Sequence, residues 1–125
     1  MAIYDVTDLD VYNRSLKALK LVYQLANQIP ESHLRLRSQI INSAESIPPL
    51  IAEGFAKRRS VKEFKRFLEM AMGSSDETIT HDREIMILAE TFKRLNNQLC
   101  QCVIDEYKII SKQLNNMIKK WTNFR

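Results

Sequence analysis

The scarcity of turn-forming residues constrains the fold of this chain more than any other feature. Its 125 residues include only two glycines and three prolines. Folds made of short strands need such residues at most of their turns, whereas long helices need almost none. The chain therefore predicts an all-α protein. Its length fits one domain, so we expect residues 1–125 to form a single four-helix-bundle domain.

Apolar residues recur at alternating three- and four-residue spacings, which is the pattern of helices packed in a bundle. The predicted helices span about residues 8–29, 32–56, 61–93 and 96–122. Thr7 would cap the first helix, Ser32 starts the second, and Ser60 with Glu63 forms a capping box for the third. Because the connections are short, we predict an antiparallel up-down-up-down bundle.

Helix one carries two apolar stripes. We assign one stripe to the bundle seam: Leu9, Tyr12, Leu16, Leu19, Tyr23 and Ala26. The other lies about 100° around the helix and comprises Val11, Ala18, Val22, Leu25 and Ile29. One seam cannot bury both stripes, and large exposed apolar patches are uncommon in soluble monomers. The pattern therefore predicts self-association.

The remaining helices show three further features. Ile47, Ile51 and Phe55 keep helical phase across Pro48-Pro49, so we predict that helix two is kinked there and not broken. The inner face of helix three thins to small residues at 73–75, where a neighbouring helix could approach closely. That face comprises Val61, Phe64, Leu68, Ala71, Ser75, Ile79, Met86 and Ala89. The seam of helix four comprises Leu99, Val103, Tyr107, Ile110, Leu114, Met117, Trp121 and Phe124.

Two motifs resemble those of a known family. The first is similar to the S-I-P-x-N-I-A-E-G signature of bacterial four-helix-bundle proteins called 23S rRNA intervening-sequence proteins, and the second to their F-x-x-F-L-x-x-A-x-G-S-x-x-E block. The matching structural residues are Ser46, Ile47, Pro48, Ile51, Ala52, Glu53, Gly54, Gly73, Ser74 and Glu77. The opening Asp8-Leu9-x-Val11-Tyr12 resembles the family's first helix. Leu50 stands where the family usually has asparagine, so a polar role of that side chain is absent.

The resemblance implies an antiparallel four-helix bundle that assembles into a homopentameric ring. Members of this family were noticed as reading frames inside intervening sequences of large-subunit rRNA genes. A related branch resembles the basic accessory protein of diversity-generating retroelements, which engages a reverse transcriptase and nucleic acid. The partners implied are further copies of the chain, RNA or DNA, and a protein such as a reverse transcriptase. Most members have no assigned biochemical activity.

The candidates for metal or redox chemistry are weak. Cys100 and Cys102 point about 200° apart on a helix, so they cannot converge on zinc or form a disulfide without unwinding. Glu77, His81 and Glu84 share one helical face, but the paired Glu-x-x-His motifs of di-iron bundles are missing. We therefore favour a solvated ion-pair face there, and predict no metal site and no cofactor.

No spacing suggests a catalytic triad, and two glycines cannot build a glycine-rich phosphate loop. Glu53 lies among apolar residues and could be partly buried and functional. A carboxylate that satisfies a helix end or pairs with a base is the more common case. We therefore predict a non-enzymatic protein with no catalytic residues.

The densest basic cluster is the candidate nucleic-acid-binding surface. It comprises Lys57, Arg58, Arg59, Lys62, Lys65 and Arg66. The first three can complement the negative pole of helix two. Lys62 and Lys65 lie in the first turns of helix three, where the dipole favours anions, so a bound phosphate would relieve the conflict. Glu63 and Glu69 could offset it instead, which leaves the interpretation as a solvated face open.

These features predict a self-assembling scaffold or accessory protein whose basic surface contacts RNA or DNA. The alternative is a protein-interaction module with no nucleic-acid role. A net charge of +4 permits binding to polyanions. Residues 1–5 lack a basic leader, and no apolar run approaches the roughly 20 residues of a membrane span, so we expect a cytoplasmic protein without a membrane segment.

Overall fold

The computed structural model describes residues 2–121 and contains four long helices. They are α1 (Asp10–Asn27), α2 (Leu34–Ala56), α3 (Val61–Leu88) and α4 (Asn97–Lys120). Short 3₁₀ turns precede α1 and α2, at Val6–Asp8 and Glu31–His33. No strand occurs within residues 2–121, so the all-α prediction is confirmed.

The four helices form an antiparallel ring of neighbours. Across each neighbouring pair, contact partners run in opposite numerical order on the two helices. The cross-helix contacts are Asp10–Gln113 and Arg14–Glu106, Tyr23–Glu45 and Ala26–Arg37, Ser43–Thr78 and Gly54–Phe67, and Ser75–Tyr107 and Asp82–Cys100. Within residues 2–121, α1 does not pack on α3, nor α2 on α4. The predicted up-down-up-down bundle is therefore confirmed.

The bundle buries the second stripe of α1, so our assignment of the seam to the first stripe is wrong for most of that stripe, of which only Leu9 and Ala26 are buried. The second stripe is fully buried: Val11, Ala18, Val22, Leu25 and Ile29. Leu16 and Tyr23 of the first stripe remain 43% and 44% exposed. The buried side also contains Ser15, and its small residues let neighbouring helices approach. The first stripe carries tyrosines, whose hydroxyl groups need polar partners if they are buried.

Two of the three predicted helix starts need correction. The capping box at the N-terminus belongs to the first 3₁₀ turn, where the Asp5 carboxylate accepts the Thr7 N–H and the Asp8 carboxylate accepts the Asp5 N–H. Thr7 therefore does not cap α1, which begins at Asp10 without a side-chain cap. Ser32 lies in the second 3₁₀ turn, and its hydroxyl bonds the His33 ring.

The start of α3 follows the prediction more closely. The Ser60 hydroxyl oxygen accepts the Glu63 N–H at 3.1 Å, as an N-cap requires. The Glu63 carboxylate does not complete the box, because it accepts hydrogen bonds from the Arg66 guanidinium at 2.9 and 3.3 Å. Glu63 therefore serves the basic surface and not the helix cap.

Helix α3 ends at Leu88, so the predicted end near residue 93 is wrong. Past this point the chain turns back over the end of α1. The Arg94 guanidinium donates to the carbonyl oxygens of Gln28 and Ile29 at 2.7 and 2.8 Å, and the Phe92 ring packs on His33. These contacts satisfy carbonyls that a helix end leaves unpaired. The predicted end of helix four at Thr122, and its seam residue Phe124, lie outside the described residues.

Helix α2 continues through Pro48-Pro49 without interruption, as predicted. Ile47, Ile51 and Phe55 are all buried in one phase on both sides of the prolines. Packing of this apolar face holds the helix together where two backbone N–H donors are missing. The bend expected at the prolines stays a prediction.

The two glycines have opposite environments. A Cβ atom placed on Gly54 would lie 2.7 Å from the Phe67 Cβ, so α2 and α3 touch there without room for a side chain. A Cβ on Gly73 would have no atom within 4 Å among the described residues. Gly73 is exposed, and the predicted close approach at residues 73–75 is wrong for it. Ser75 alone of that segment is buried, and its hydroxyl donates to the Tyr107 carbonyl at 3.0 Å.

Alanine substitutions at the two glycines should therefore change stability in opposite directions. Gly54→Ala overpacks the α2–α3 contact, which costs about 1–3 kcal/mol and exceeds the helix-propensity gain of about 0.5–1 kcal/mol. Gly73→Ala should show the gain alone. Urea unfolding at one fixed protein concentration measures both. Stabilisation by Gly54→Ala would contradict the close contact.

Candidate functional site

An open apolar groove runs between α1 and α2. It is lined by Tyr12, Leu16, Leu19, Tyr23, Glu45, Pro48, Pro49 and Ala52. One wall is formed by Tyr12, Leu16, Leu19 and Tyr23 of the first stripe of α1, and the other by the turn of α2 that contains Pro48 and Pro49. Four of the six side chains that we assigned to the bundle seam therefore line an outer surface.

The groove also carries polar groups. The Tyr23 hydroxyl donates to the Glu45 carboxylate at 2.5 Å, and this hydrogen bond raises the pKa of Tyr23 above its usual value. Pro48 and Pro49 have no N–H, so the carbonyl groups of Ala44 and Glu45 lack the donor that a regular helix would supply. The groove thus combines apolar walls with the polar Tyr23–Glu45 pair.

The first family-like motif contributes residues to both the buried face and the outer face of α2. Ile47, Pro48, Ile51 and Gly54 are buried. Ala52 lines the groove, and the Ser46 hydroxyl donates to the Ser43 carbonyl within the helix. Leu50, at the position of the family's asparagine, is partly buried and packs against the core.

Glu53 belongs to the same motif, but it lies on the surface. Its side chain is exposed, so the expectation of partial burial is wrong. Its carboxylate is 3.7 Å from the Lys57 ammonium, one helical turn away. Glu53 follows the buried Ile51 by two positions, which turns it to the opposite side of the helix. The contact is a surface ion pair.

The second motif contributes surface groups of α3 as well as its core. The Ser74 carbonyl accepts the Thr78 hydroxyl at 2.8 Å. The His81 ring lies between Glu77, at 3.2 Å from Nε2, and Glu84, at 2.9 Å from Nδ1. Both glutamates are exposed, whereas the His81 side chain is only 12% exposed. The two carboxylates face different ring nitrogens, so they do not converge on one ion.

The two cysteines occupy opposite sides of α4. Cys100 is buried and Cys102 is exposed, and both are free thiols. The prediction that they do not converge is confirmed. Among the described residues, no cluster of three histidine, cysteine, aspartate or glutamate side chains could hold a metal ion.

The six cations of the basic cluster lie at one end of the bundle, where α2 ends and α3 begins. Arg58 packs over the Phe55 ring at 4.0 Å. Lys57 and Arg66 both lie over the Phe67 ring, at 4.8 and 4.6 Å from its centroid. Such contacts hold cationic groups close to the protein surface.

Anions neutralise only part of this cluster. Lys57 pairs with Glu53, and Arg66 pairs with Glu63. The hydrogen bond from Arg66 lowers the pKa of Glu63, and the charges of Lys57 and Lys62 lower it further. Three cations therefore share Glu63, which supports the solvated-face interpretation for them. Within residues 2–121, Arg59, Lys62 and Lys65 form no ion pair.

Sequence reasoning missed two lysines at the same end of the bundle. Lys119 and Lys120 form the exposed last turn of α4, next to Trp121, whose ring packs edge-on against Phe64 at 4.8 Å. They are far from the cluster in sequence, and only the antiparallel register of α3 and α4 brings them to it. The basic end, as we call this surface, comprises Lys57, Arg58, Arg59, Lys62, Lys65, Arg66, Lys119 and Lys120.

Sequence reasoning also missed a buried acid. Asp82 is fully buried on α3. Burial raises its pKa to about 7, and burial raises the pKa of the neighbouring Cys100 thiol to about 12. The strict alternation of threes and fours through Ser75, Thr78, Asp82, Ile85 and Ala89 is the signal that could have found it.

Within residues 2–121, no helix combines the length and the apolar character that crossing a membrane requires. A family model described as 23S rRNA-intervening sequence protein matches residues 7–116, which include α1, α2, α3 and most of α4. A search of the curated proteins finds no match.

Proposed function

Because the chain belongs to the 23S rRNA-intervening sequence protein family, we propose that it is a non-enzymatic protein that assembles with copies of itself and offers a basic surface to RNA or DNA. The observation that carries the proposal is the apolar groove between α1 and α2, which the bundle leaves uncovered. We assign the chain no catalytic residue, metal or cofactor.

Self-assembly is supported by the exposed apolar side chains of the groove. Covering apolar surface contributes roughly 25 cal/mol per Å². Leu16 and Tyr23 are each more than two-fifths exposed, and the prolines beside them add a rigid wall. A contact between two different surfaces of the chain forms a ring when the rotation from copy to copy closes, and a filament when it does not. The proposed number of five subunits comes from the family resemblance.

Nucleic-acid binding is supported by the basic end. Arg59, Lys62 and Lys65 carry charges with no ion-pair partner among the described residues. Lys62 lies in the first turn of α3, where the helix dipole favours a bound anion. A symmetric assembly would repeat this surface in each subunit, so that weak contacts to one strand could add.

The alternative function is a protein-interaction module without a nucleic-acid role. It is favoured by the local partners of Lys57, Arg58 and Arg66, which already engage glutamates or aromatic rings. The partner would then be another protein, such as a reverse transcriptase. In that case the groove would be the functional surface, and the basic end would only keep the protein soluble.

The groove is tested by Leu16→Glu, with Ile87→Glu as the matched control. Leu16 lines the groove, whereas Ile87 is 68% exposed on α3 and lies outside it. Light scattering at micromolar concentration should show an oligomer for the wild type and for Ile87→Glu, but a smaller species for Leu16→Glu. Circular dichroism should show unchanged helicity, since Leu16 is outside the core. A monomeric wild type would refute the proposed assembly.

The basic end is tested by the triple variant Arg59→Glu, Lys62→Glu and Lys65→Glu. Arg66 is left unchanged because its guanidinium binds Glu63. Fluorescence anisotropy with a single-stranded RNA and a DNA duplex should show binding by the wild type and none by the variant. If three phosphates are neutralised on a duplex, affinity should fall roughly 40-fold between about 50 and 200 mM salt.

The control carries the same change of charge elsewhere. Lys93, Lys108 and Lys112 are exposed and belong to no ion pair among the described residues. Their replacement by glutamate should leave most of the binding intact. If both triple variants lost nucleic-acid binding equally, the binding would depend on the net charge of the protein and not on the basic end. A wild type that does not bind at low salt would leave the protein-interaction module as the function.

A further inference from the structure

Among residues 2–121, the carboxyl group of Asp82 has no charged partner in the core of the bundle, and the only polar group that faces it is the weakly polar Cys100 thiol. The residue is fully buried, and neither carboxyl oxygen accepts a hydrogen bond of normal geometry from a residue within 2–121. A carboxylate that loses water without gaining a cation or a donor is unstable, because the low-dielectric interior disfavours its charge. The neutral acid is tolerated much better.

The other buried polar groups of α3 satisfy one another and leave Asp82 aside. The Thr78 hydroxyl bonds the Ser43 hydroxyl of α2 at 2.8 Å. The Ser75 hydroxyl donates to the Tyr107 carbonyl and accepts from the Ser111 hydroxyl, both on α4. Thr78 precedes Asp82 by one helical turn, so this hydrogen-bond network ends one turn of α3 before the Asp82 carboxyl group.

No cation compensates the carboxyl group from the helices packed against α3. From α4 the Cys100 thiol faces it, and this is the only titratable group within residues 2–121 that acts on its pKa. On α2, the pairing of Ser43 with Thr78 places the uncharged Gln39 and Ile40 at this level. On α3 itself, His81 is occupied by Glu77 and Glu84 on the outer side.

We propose that Asp82 is a proton-binding site in the bundle core, and that its ionisation weakens the packing of α3 against α4. The protonated carboxyl group keeps this contact closed, and the charged form opens it. The inference concerns the stability of the fold and does not depend on assembly or nucleic-acid binding.

The direction of the pH dependence follows from the raised pKa. Burial raises the pKa of Asp82 from 3.8 to about 7, so the folded chain holds this proton at pH values where the unfolded chain has lost it. The folded state therefore binds more protons than the unfolded state between these values. Stability falls with rising pH across that window and levels off above the pKa of the folded form.

Asp82→Asn tests the proposal, with Asp105→Asn as a control on the exposed side of α4. Thermal unfolding should be followed from about pH 5 to about pH 8, the range around the raised pKa. The melting temperature of the wild type and of Asp105→Asn should fall across this range. That of Asp82→Asn should change much less and exceed the wild-type value at the high end. Parallel profiles for all three proteins would overturn the proposal.

A second measurement does not depend on the folding of any variant. The carboxyl carbon resonances of the wild-type aspartates can be titrated by ¹³C NMR. One of them should have its midpoint near 7 in the folded protein. If every aspartate titrates near its ordinary value of about 3.9, Asp82 does not retain its proton and the proposal fails.

Discussion

Helix α1 presents apolar side chains on two sides, and the bundle core has room for only one of them. The core takes the side with Ala18 and Ser15, whose small side chains let α2 and α4 approach. The larger side, with Leu16 and Tyr23, is left at the surface. Everything proposed about assembly depends on this division, because it creates an apolar groove that the single chain does not cover.

Helix α2 connects the groove to the basic end. Its contact with α3 at Gly54 leaves no room for a side chain, which fixes how the two helices lie against each other. Pro48 and Pro49 lie upstream of this contact in the groove, and Lys57 follows it at the end of the bundle. The contact at Gly54 therefore positions the start of α3, and with it Lys62 and Lys65, relative to the groove.

The sequence predicted those features that depend on local chemistry or on periodicity alone. The four helices, the continuity of α2 across its prolines and the Ser60 cap all follow from spacing or from a side chain beside its own backbone. The opposite orientation of Cys100 and Cys102 follows from helix geometry. Each of these predictions needs no knowledge of what lies across the bundle.

The errors arise where a contact between distant segments decides the outcome. The choice between the two stripes of α1 depends on which side chains pack against α2 and α4. Past the end of α3, Arg94 reaches the carbonyls of Gln28 and Ile29 that follow α1, a contact that no local spacing predicts. Lys119 joins the basic end only through the antiparallel register. Helical periodicity does not identify such positions well, because the buried seam of a helix can contain polar residues as well as apolar ones.

Native mass spectrometry of the wild-type protein at low micromolar concentration measures most directly whether another copy covers the groove. The account predicts an assembly whose mass is a multiple of the 14.7 kDa chain, and the resemblance described in the sequence analysis sets the expected number at five copies. A dimer or tetramer would keep self-assembly and reject the number five. A single species at the mass of one chain would contradict the central claim.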